Sequence, residues 1–213
     1  MKDIAIYGAG GFGREIACLF RHINQKEPTW NLIGFFDDGK TIDFETEYGK
    51  VLGGIDVLNN WDKPLSIVLA IGTPKTVRTI VSNITSPFID FPNIIAPDMI
   101  FLDKQNYSIG KGNVFCMGCL VSCNVHIEDF NVFNGFITIG HDAQIGNYNS
   151  FMPAVRISGE VNIGNCNFFG VSSVVLQQVQ VGNETTVGAN SLIIRKTKDG
   201  QTYMGCPASI VKY

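Results

Sequence analysis

The sequence predicts a two-part fold: a small α/β unit with a parallel sheet, followed by a parallel β-helix. Three observations predict it. Strand-like and helix-like runs alternate up to about residue 90. An apolar residue then recurs at every sixth position from Ile109 to Ile193, and Gly or Asn punctuates that second pattern at fixed offsets.

In the first part, Ile4-Ala5-Ile6-Tyr7 is a short apolar run of the kind that fills a buried strand. Arg14 to Ile23 places Ile16, Leu19, Phe20 and Ile23 at helical spacing. Leu32-Ile33-Gly34-Phe35-Phe36 and Ser66 to Ile71 read as further strands, and Thr76 to Ile84 as a helix. Strand, helix, strand in that order implies a parallel sheet. Between the first strand and the first helix stands YGAGGFGRE, a G-x-G-x-x-G pattern at Gly8, Gly10 and Gly13, with Ala9 and Gly11 inside the turn. Its physics is a tight turn that points backbone amides at a phosphate over a helix N-terminus. Asp37-Asp38 ends the next strand, where a nucleotide-binding fold carries its ribose-reading acid. The sheet is short for a full dinucleotide domain, so a mononucleotide or nucleotide sugar fits its size better than NAD.

In the second part the sixth-residue series runs through fifteen positions without a failure. A period of six is neither the helical 3.6 nor a simple strand alternation. It is the hexapeptide grammar of a parallel β-helix, three hexads to a triangular coil of eighteen residues, with the periodic residue inside the prism. Gly follows that residue at 110, 140, 146, 164, 170, 182 and 188, and Asn or Ser precedes it by two at 113, 131, 149, 167 and 191. These are expected to take the positive-φ conformations of the turns. The stretch before Ile109, with Pro92 and Pro97, is expected to form an irregular first coil, and the segment after Ile194 to cap the open end. The predicted boundaries are 1–92, 93–197 and 198–213.

Eighteen residues per coil turns sequence into register, with residue n one strand spacing from n ± 18. His141 then stacks between Cys123 and Gly159, and His126 beneath Gln144. Spacing alone leaves His141-Asp142 open between a polar turn on a solvated edge and a reactive pair. Gly159 favours the second, because a missing side chain beside an imidazole leaves a gap where an acyl carbonyl could meet a backbone N–H. The cysteines Cys116, Cys119 and Cys123 fall on different sides of a coil and cannot converge on one ion. His126 and His141 are not eighteen apart, so no metal is expected.

Bulk properties exclude several partners. The chain has 213 residues, 45% of them hydrophobic, only 16% charged, and a net charge of −3. No run of like charge advertises nucleic acid. No apolar run approaches the roughly 20 residues of a membrane span. The start MKDIAIYGAG lacks the features of a signal peptide, so a cytoplasmic location with reduced thiols is expected.

Taken together, YGAGGFG, GFFDD at 34–38, AIGTPKTVR at 70–78, IGHDAQIG at 139–146 and GCPA at 205–208 resemble one family over essentially the whole length. It is the bacterial nucleotide-sugar acetyltransferases of the left-handed β-helix, hexapeptide-repeat superfamily, which join a Rossmann-like domain to the repeats. Its members N-acetylate nucleotide-linked 4-amino-4,6-dideoxysugars or O-acetylate sialic acid. The resemblance implies an acetyl-CoA-dependent acyltransferase for surface polysaccharide or glycan biosynthesis. His141 would be its catalytic base, Asp142 the accompanying acid, and Gly159 the glycine whose amide meets the thioester oxygen. It further implies that Val171, Ala189 and Pro207 lie along acetyl-CoA. Gly8, Ala9, Gly10, Gly11, Gly13, Asp37, Asp38, Gly72 and Thr73 would hold the nucleotide sugar. A homotrimer with sites between subunits is implied as well. The sequence departs from the pattern at Ser150, where relatives often carry a second His, at Gly10 and Phe12 in the glycine loop, and at Gln177-Gln178, where relatives have a proline-bearing turn.

The expected chemistry is direct transfer in a ternary complex, since no residue is placed to carry the acyl group. Sugar O-acetylation and a non-catalytic nucleotide-sugar-binding β-helix are the alternatives. An NAD-dependent oxidoreductase would rest on the glycine motif alone.

Overall fold

The structure is a computed structural model that describes residues 1–211. It divides into two compact units, Met1–Pro92 and a second from Asn93 onward. Among the described residues no helix is long and apolar enough to cross a membrane.

The first unit runs β1 (Lys2–Tyr7), α1 (Gly11–Lys26), β2 (Trp30–Phe36), β3 (Glu45–Thr46), β4 (Gly49–Gly53), α2 (Ile55–Asn59), β5 (Leu65–Leu69), α3 (Pro74–Asn83) and β6 (Ile89–Asp90). Its sheet has the order β3-β4-β2-β1-β5-β6, parallel except for the β3–β4 pair. β5 is buried at every residue, as a strand covered on both faces must be, which explains its apolar run; its one polar residue, Ser66, donates its hydroxyl to Asp90 Oδ1 at 2.8 Å. α1 buries Gly13, Ile16, Ala17, Leu19 and Phe20, one helical stripe, and extends about a turn beyond the predicted segment at each end. The short elements β3, β4 and α2 carry too few residues to show a period, and sequence reasoning missed them.

Since β1 lies between β2 and β5, the chain reverses its direction of sheet growth there. The loops leaving the C-terminal ends of these three strands therefore open a crevice, the usual ligand position in such sheets.

The second unit is a parallel β-helix, and pairing confirms the eighteen-residue register. His126 pairs with Gln144, Thr138 with Arg156, and Phe133 with Phe151. Its first coil is longer, Ile94 pairing with Val114 and Ile100 with Leu120, twenty residues on, which is why the six-residue beat is illegible before Ile109. The prism has three faces. One carries Phe115, Phe133, Phe151 and Phe169 inward, all fully buried, with stacked rings whose centroids lie 4.5, 4.9 and 4.7 Å apart. Those separations equal the strand spacing, so each ring lies on the ring of the coil before it. A second face, containing Thr138–Ile139 and Arg156–Ile157, presents Leu120, Val174 and Leu192 outward, with Thr138 and Arg156 in the same row between Leu120 and Val174. The third presents His126, Gln144, Asn162 and Gln180.

Two side chains per hexad point inward, the periodic residue and the one two before it. Thus Ile137, Ala143, Val155 and Val161 are buried along with Ile139, Ile145, Ile157 and Ile163. On the edge leading into the phenylalanine face the earlier position is Asn113, Asn131, Asn149 and Asn167, fully buried. Each Oδ1 accepts the backbone N–H one coil on, at 2.8, 2.8, 2.9 and 2.7 Å, the last from Thr185. A buried carboxamide file satisfies the polar atoms it brings inside.

The expectation that turn glycines supply positive φ is corrected. The left-handed residue falls three after the periodic one, and from Asn124 to Asn190 it is not glycine, as at Phe136, Asp142, Ala154 and Glu160. The glycines one after the periodic residue serve close approach instead. A Cβ on Gly140 would lie 2.5 Å from the Gly159 nitrogen, and one on Gly170 2.5 Å from the Ala189 nitrogen. At these two glycines the backbone of the next coil occupies the space a side chain would need.

The end of the prism is closed by a hairpin, Thr202–Gly205 with Ala208–Ile210, whose first strand adds in parallel to Thr186–Val187. The hairpin covers the exposed strand edge, as the tail was expected to do.

Candidate active site

His141 and Asp142 occupy the turn between Thr138–Ile139 and Gln144–Ile145, on the edge where the apolar outer face meets the polar one. Their side chains remain 47% and 48% exposed, and His141 Nδ1 lies 2.7 Å from Asp142 Oδ2. Asp142 has φ 59°, and its other oxygen accepts the Asn124 Nδ2 at 3.2 Å. These hydrogen bonds, the one to His141 foremost, hold the Asp142 carboxyl below the usual carboxylate range. Asp142 therefore stays ionised at neutral pH. Its bond to Nδ1 fixes the tautomer that leaves Nε2 as the basic nitrogen.

Nε2 points across to the next coil. A Cβ built on Gly159 would sit 2.4 Å from it, so only glycine leaves the imidazole this position. The Gly159 N–H enters none of the bonds between coils, whereas its neighbours Ser158 and Glu160 donate to Val175 O and His141 O. The contrast with the edge leading into the phenylalanine face is informative. There the same turn position is Lys111, Asp129, Asn147 and Asn165, and each N–H donates to the Asp or Asn side chain one coil on. On the His141 edge that file reads Cys123, His141, Gly159, Gln177, and the Gly159 amide stays uncommitted. The turn thus offers a base and a backbone donor side by side, which is the pairing an acyl-transfer transition state needs.

The residues expected along acetyl-CoA lie elsewhere in the chain. Val171, 45% exposed, and Ala189 stand one coil apart on the opposite edge of the apolar outer face, and Pro207 is in the capping hairpin. One chain does not bring them to His141. Ser150 is buried in its strand on the phenylalanine face, away from the His141 edge. Cys119 faces inward, and burial pushes its thiol up to about 11, which makes it a core residue. Among the described residues, no group of three or more His, Cys, Asp or Glu side chains is placed to hold a metal ion.

In the first unit a depression of about 430 Å³ opens where the sheet topology places it, lined by Tyr7, Gly8, Gly10, Gly11, Phe12, Asp37, Asp38, Gly39, Ala70, Ile71, Thr76 and Ile80. Most of the predicted nucleotide-sugar residues meet there. α1 begins at Gly11 with Gly10 as a cap that supplies no side-chain hydrogen bond, so its first amides keep their donors. Asp37 and Asp38 also build the pocket. Asp37 accepts the Ala9 and Gly39 N–H groups at 2.8 Å each, and Asp38 accepts the Ile55 N–H at 2.8 Å and the Tyr7 hydroxyl. Burial, with the neighbouring Asp38 carboxylate, pushes the Tyr7 phenol far up, so it remains a donor.

Gly13 stands apart from the lining. A Cβ there would lie 1.9 Å from the Gly8 carbonyl oxygen, so this glycine lets helix and strand pack. Gly72 and Thr73 flank the lining residues Ala70, Ile71 and Thr76, with Thr73 capping α3. Phe12, singled out in the glycine loop, lines the depression; Thr76 and Ile80 escaped the sequence reading, although Thr76 lies in the first turn of α3.

Comparison with known proteins follows the two units. Residues 3–84 match the family model of the PglD N-terminal domain. The whole chain is similar to the acetyltransferase domain of PglB from Neisseria gonorrhoeae FA1090 in complex with acetyl coenzyme A, with 26% identity, 99% of each chain covered and a TM-score of 0.86. It shares its fold with WeeI from Acinetobacter baumannii AYE, at 24% identity, 99% and 100% coverage and a TM-score of 0.88. It shares it also with PerB from Caulobacter crescentus in complex with CoA and GDP-perosamine, at 22% identity, 100% and 98% coverage and a TM-score of 0.79. No curated protein matches the chain. The fold class is therefore the predicted one, a small α/β unit followed by a left-handed parallel β-helix.

Proposed function

We propose that this acyltransferase moves the acetyl group of acetyl-CoA onto the amine of a nucleotide-linked 4-amino-4,6-dideoxysugar. The observation that carries the reading is the imidazole of His141, oriented by Asp142, with Nε2 over the side-chain-free Gly159. The solved relatives add to it, being acetyltransferases or bound to CoA and an amino-sugar nucleotide.

In this reading the amine attacks the thioester carbonyl while His141 Nε2 takes its proton. The Gly159 N–H donates to the oxygen that becomes negative, and Asp142 stabilises the imidazolium. The carbon–sulfur bond then breaks, and the ring returns its proton to the departing CoA sulfur. The depression bounded by Gly8, Gly10, Gly11, Asp37 and Asp38 holds the nucleotide part of the acceptor. Its helix N-terminus takes the diphosphate, and its carboxylates take ribose hydroxyls.

A homotrimer with sites between subunits completes the proposal. Support comes from the outer face with Leu120, Val174 and Leu192, bounded on one edge by His141 and Gly159 and on the other by Val171 and Ala189. A second copy on this face covers apolar surface and brings another chain's edge to the base.

The test is CoA-thiol release with UDP-, dTDP- and GDP-linked 4-amino sugars and free sialic acid as acceptors. The expected result is turnover with one amino sugar and a fall of about 100-fold or more in kcat for His141→Ala, with an unchanged melting temperature. Full activity in that variant overturns the assignment of the base, and turnover of sialic acid alone replaces N- by O-acetylation.

A further inference from the structure

The turn of the coil after His141 carries a second carboxylate, Glu160. It occupies the same left-handed position as Asp142, both at φ 59°, and its N–H donates to the His141 carbonyl at 2.7 Å. Its oxygens are pinned separately. Gln177 Nε2 donates to Oε1 at 2.8 Å and Gln178 Nε2 to Oε2 at 3.0 Å. These are the two glutamines that stand where relatives carry a proline-bearing turn. Here they form a clamp.

We propose that Glu160, held by Gln177 and Gln178, is a positioning residue that shares with Asp142 the positive charge His141 acquires on taking a proton. The inference rests on the reading of His141 as the base. Three features carry it. The ring spans two coils, Nδ1 bound to Asp142 on its own coil and Nε2 lying over Gly159, the residue before Glu160. Both partners of Glu160 are neutral carboxamides, so they orient the carboxylate without cancelling its charge. They also remove the rotamer freedom that makes an exposed glutamate an ineffective partner. Hydrogen bonds from Gln178 and Gln177, with attraction to His141, hold the Glu160 carboxyl below its ordinary range and keep it ionised.

Glu160 takes no proton and forms no bond to substrate. The acceptor's proton goes to Nε2 and from there to the CoA sulfur. The ionisable side chains set around the ring are Cys123 at the same turn position one coil before, Asp142 on its own coil and Glu160 one coil after.

The test compares the full chain with Glu160→Gln, which keeps size and hydrogen-bonding capacity but removes the charge, and with Gln177→Leu/Gln178→Leu, which keeps the charge but frees it. In Glu160→Gln, the acidic limb of the kcat/KM pH profile is expected to move to lower pH by about half a unit, with kcat reduced about fivefold. The glutamine double variant is expected to lose kcat with KM for acetyl-CoA unchanged. NMR titration of the His141 ring signals, assigned by their loss in His141→Ala, should shift in the same direction without any substrate. An unmoved profile and an unmoved ring titration in Glu160→Gln overturn the proposal. So does a loss of kcat accompanied only by a lower melting temperature. If the wild-type chain acetylates no amine, the functional reading fails, while the ring titration still decides whether Glu160 and His141 are coupled.

Discussion

Gly159 is where one missing atom decides chemistry. A Cβ would lie 2.4 Å from His141 Nε2, well inside contact distance, and the imidazole is the only part able to yield. Gly159→Ala should therefore swing the ring off its bond to Asp142 and lower kcat about tenfold to 100-fold. The fold should be retained, because the new methyl meets a side chain that can move. Kinetics beside a thermal melt separates the two effects, and an active Gly159→Ala enzyme argues against the proposed geometry. Asp142 shows the opposite economy. An aspartate tolerates the left-handed conformation this turn imposes, and in that conformation it reaches the neighbouring ring.

Within the β-helix, the faces differ in how they hold coil to coil. The phenylalanine face stacks its rings at strand spacing, and the edge leading into it is stitched inside by Asn113 to Asn167 and outside by Asp129 to Asn183. Phe151 sits mid-column between Phe133 and Phe169, so Phe151→Ala opens a cavity that neither neighbour can fill without leaving its own coil. The expected cost is about 3–5 kcal/mol, read as a shifted midpoint in urea unfolding. Gly170→Ala should also destabilise, for a different reason. Its Cβ meets the backbone of Ala189 at 2.5 Å, and backbone at strand spacing has nowhere to go. Melting temperatures close to wild type in both variants would contradict this account of the stack.

At the scale of the whole molecule, the outer face with Leu120, Val174 and Leu192 separates the two edges that carry the proposed site residues. A single prism leaves His141 about half exposed. On the proposed trimer, Leu120→Lys/Leu192→Lys should give a monomer in sedimentation where the wild-type chain gives a trimer, and abolish acetyl transfer, while circular dichroism stays that of the folded chain. An active monomer rules out a site shared between subunits.

The period of six determined the β-helix by itself, because the requirement for an apolar residue at the periodic inward position is local and repeats without exception from Ile109 to Ile193. The same arithmetic placed His141 beside Gly159, since parallel register in a closed coil follows from the residue count alone. The glycine motif and Asp37-Asp38 likewise marked the crevice of the first unit before any contact was known. What periodicity could not settle was the purpose of each residue within the turn. Turn glycines read as positive-φ residues prove to be points of close approach, and residues such as Phe136 and Glu160 take the left-handed position instead. Nor could counting show that Gln177 and Gln178 reach sideways to Glu160, or that the Gly159 amide is left uncommitted while the equivalent amides on the asparagine edge are bonded. Sequence spacing determined which residues share an edge. Side-chain rotamers and hydrogen-bond partners, which depend on the coils before and after at once, were decided only by the tertiary structure.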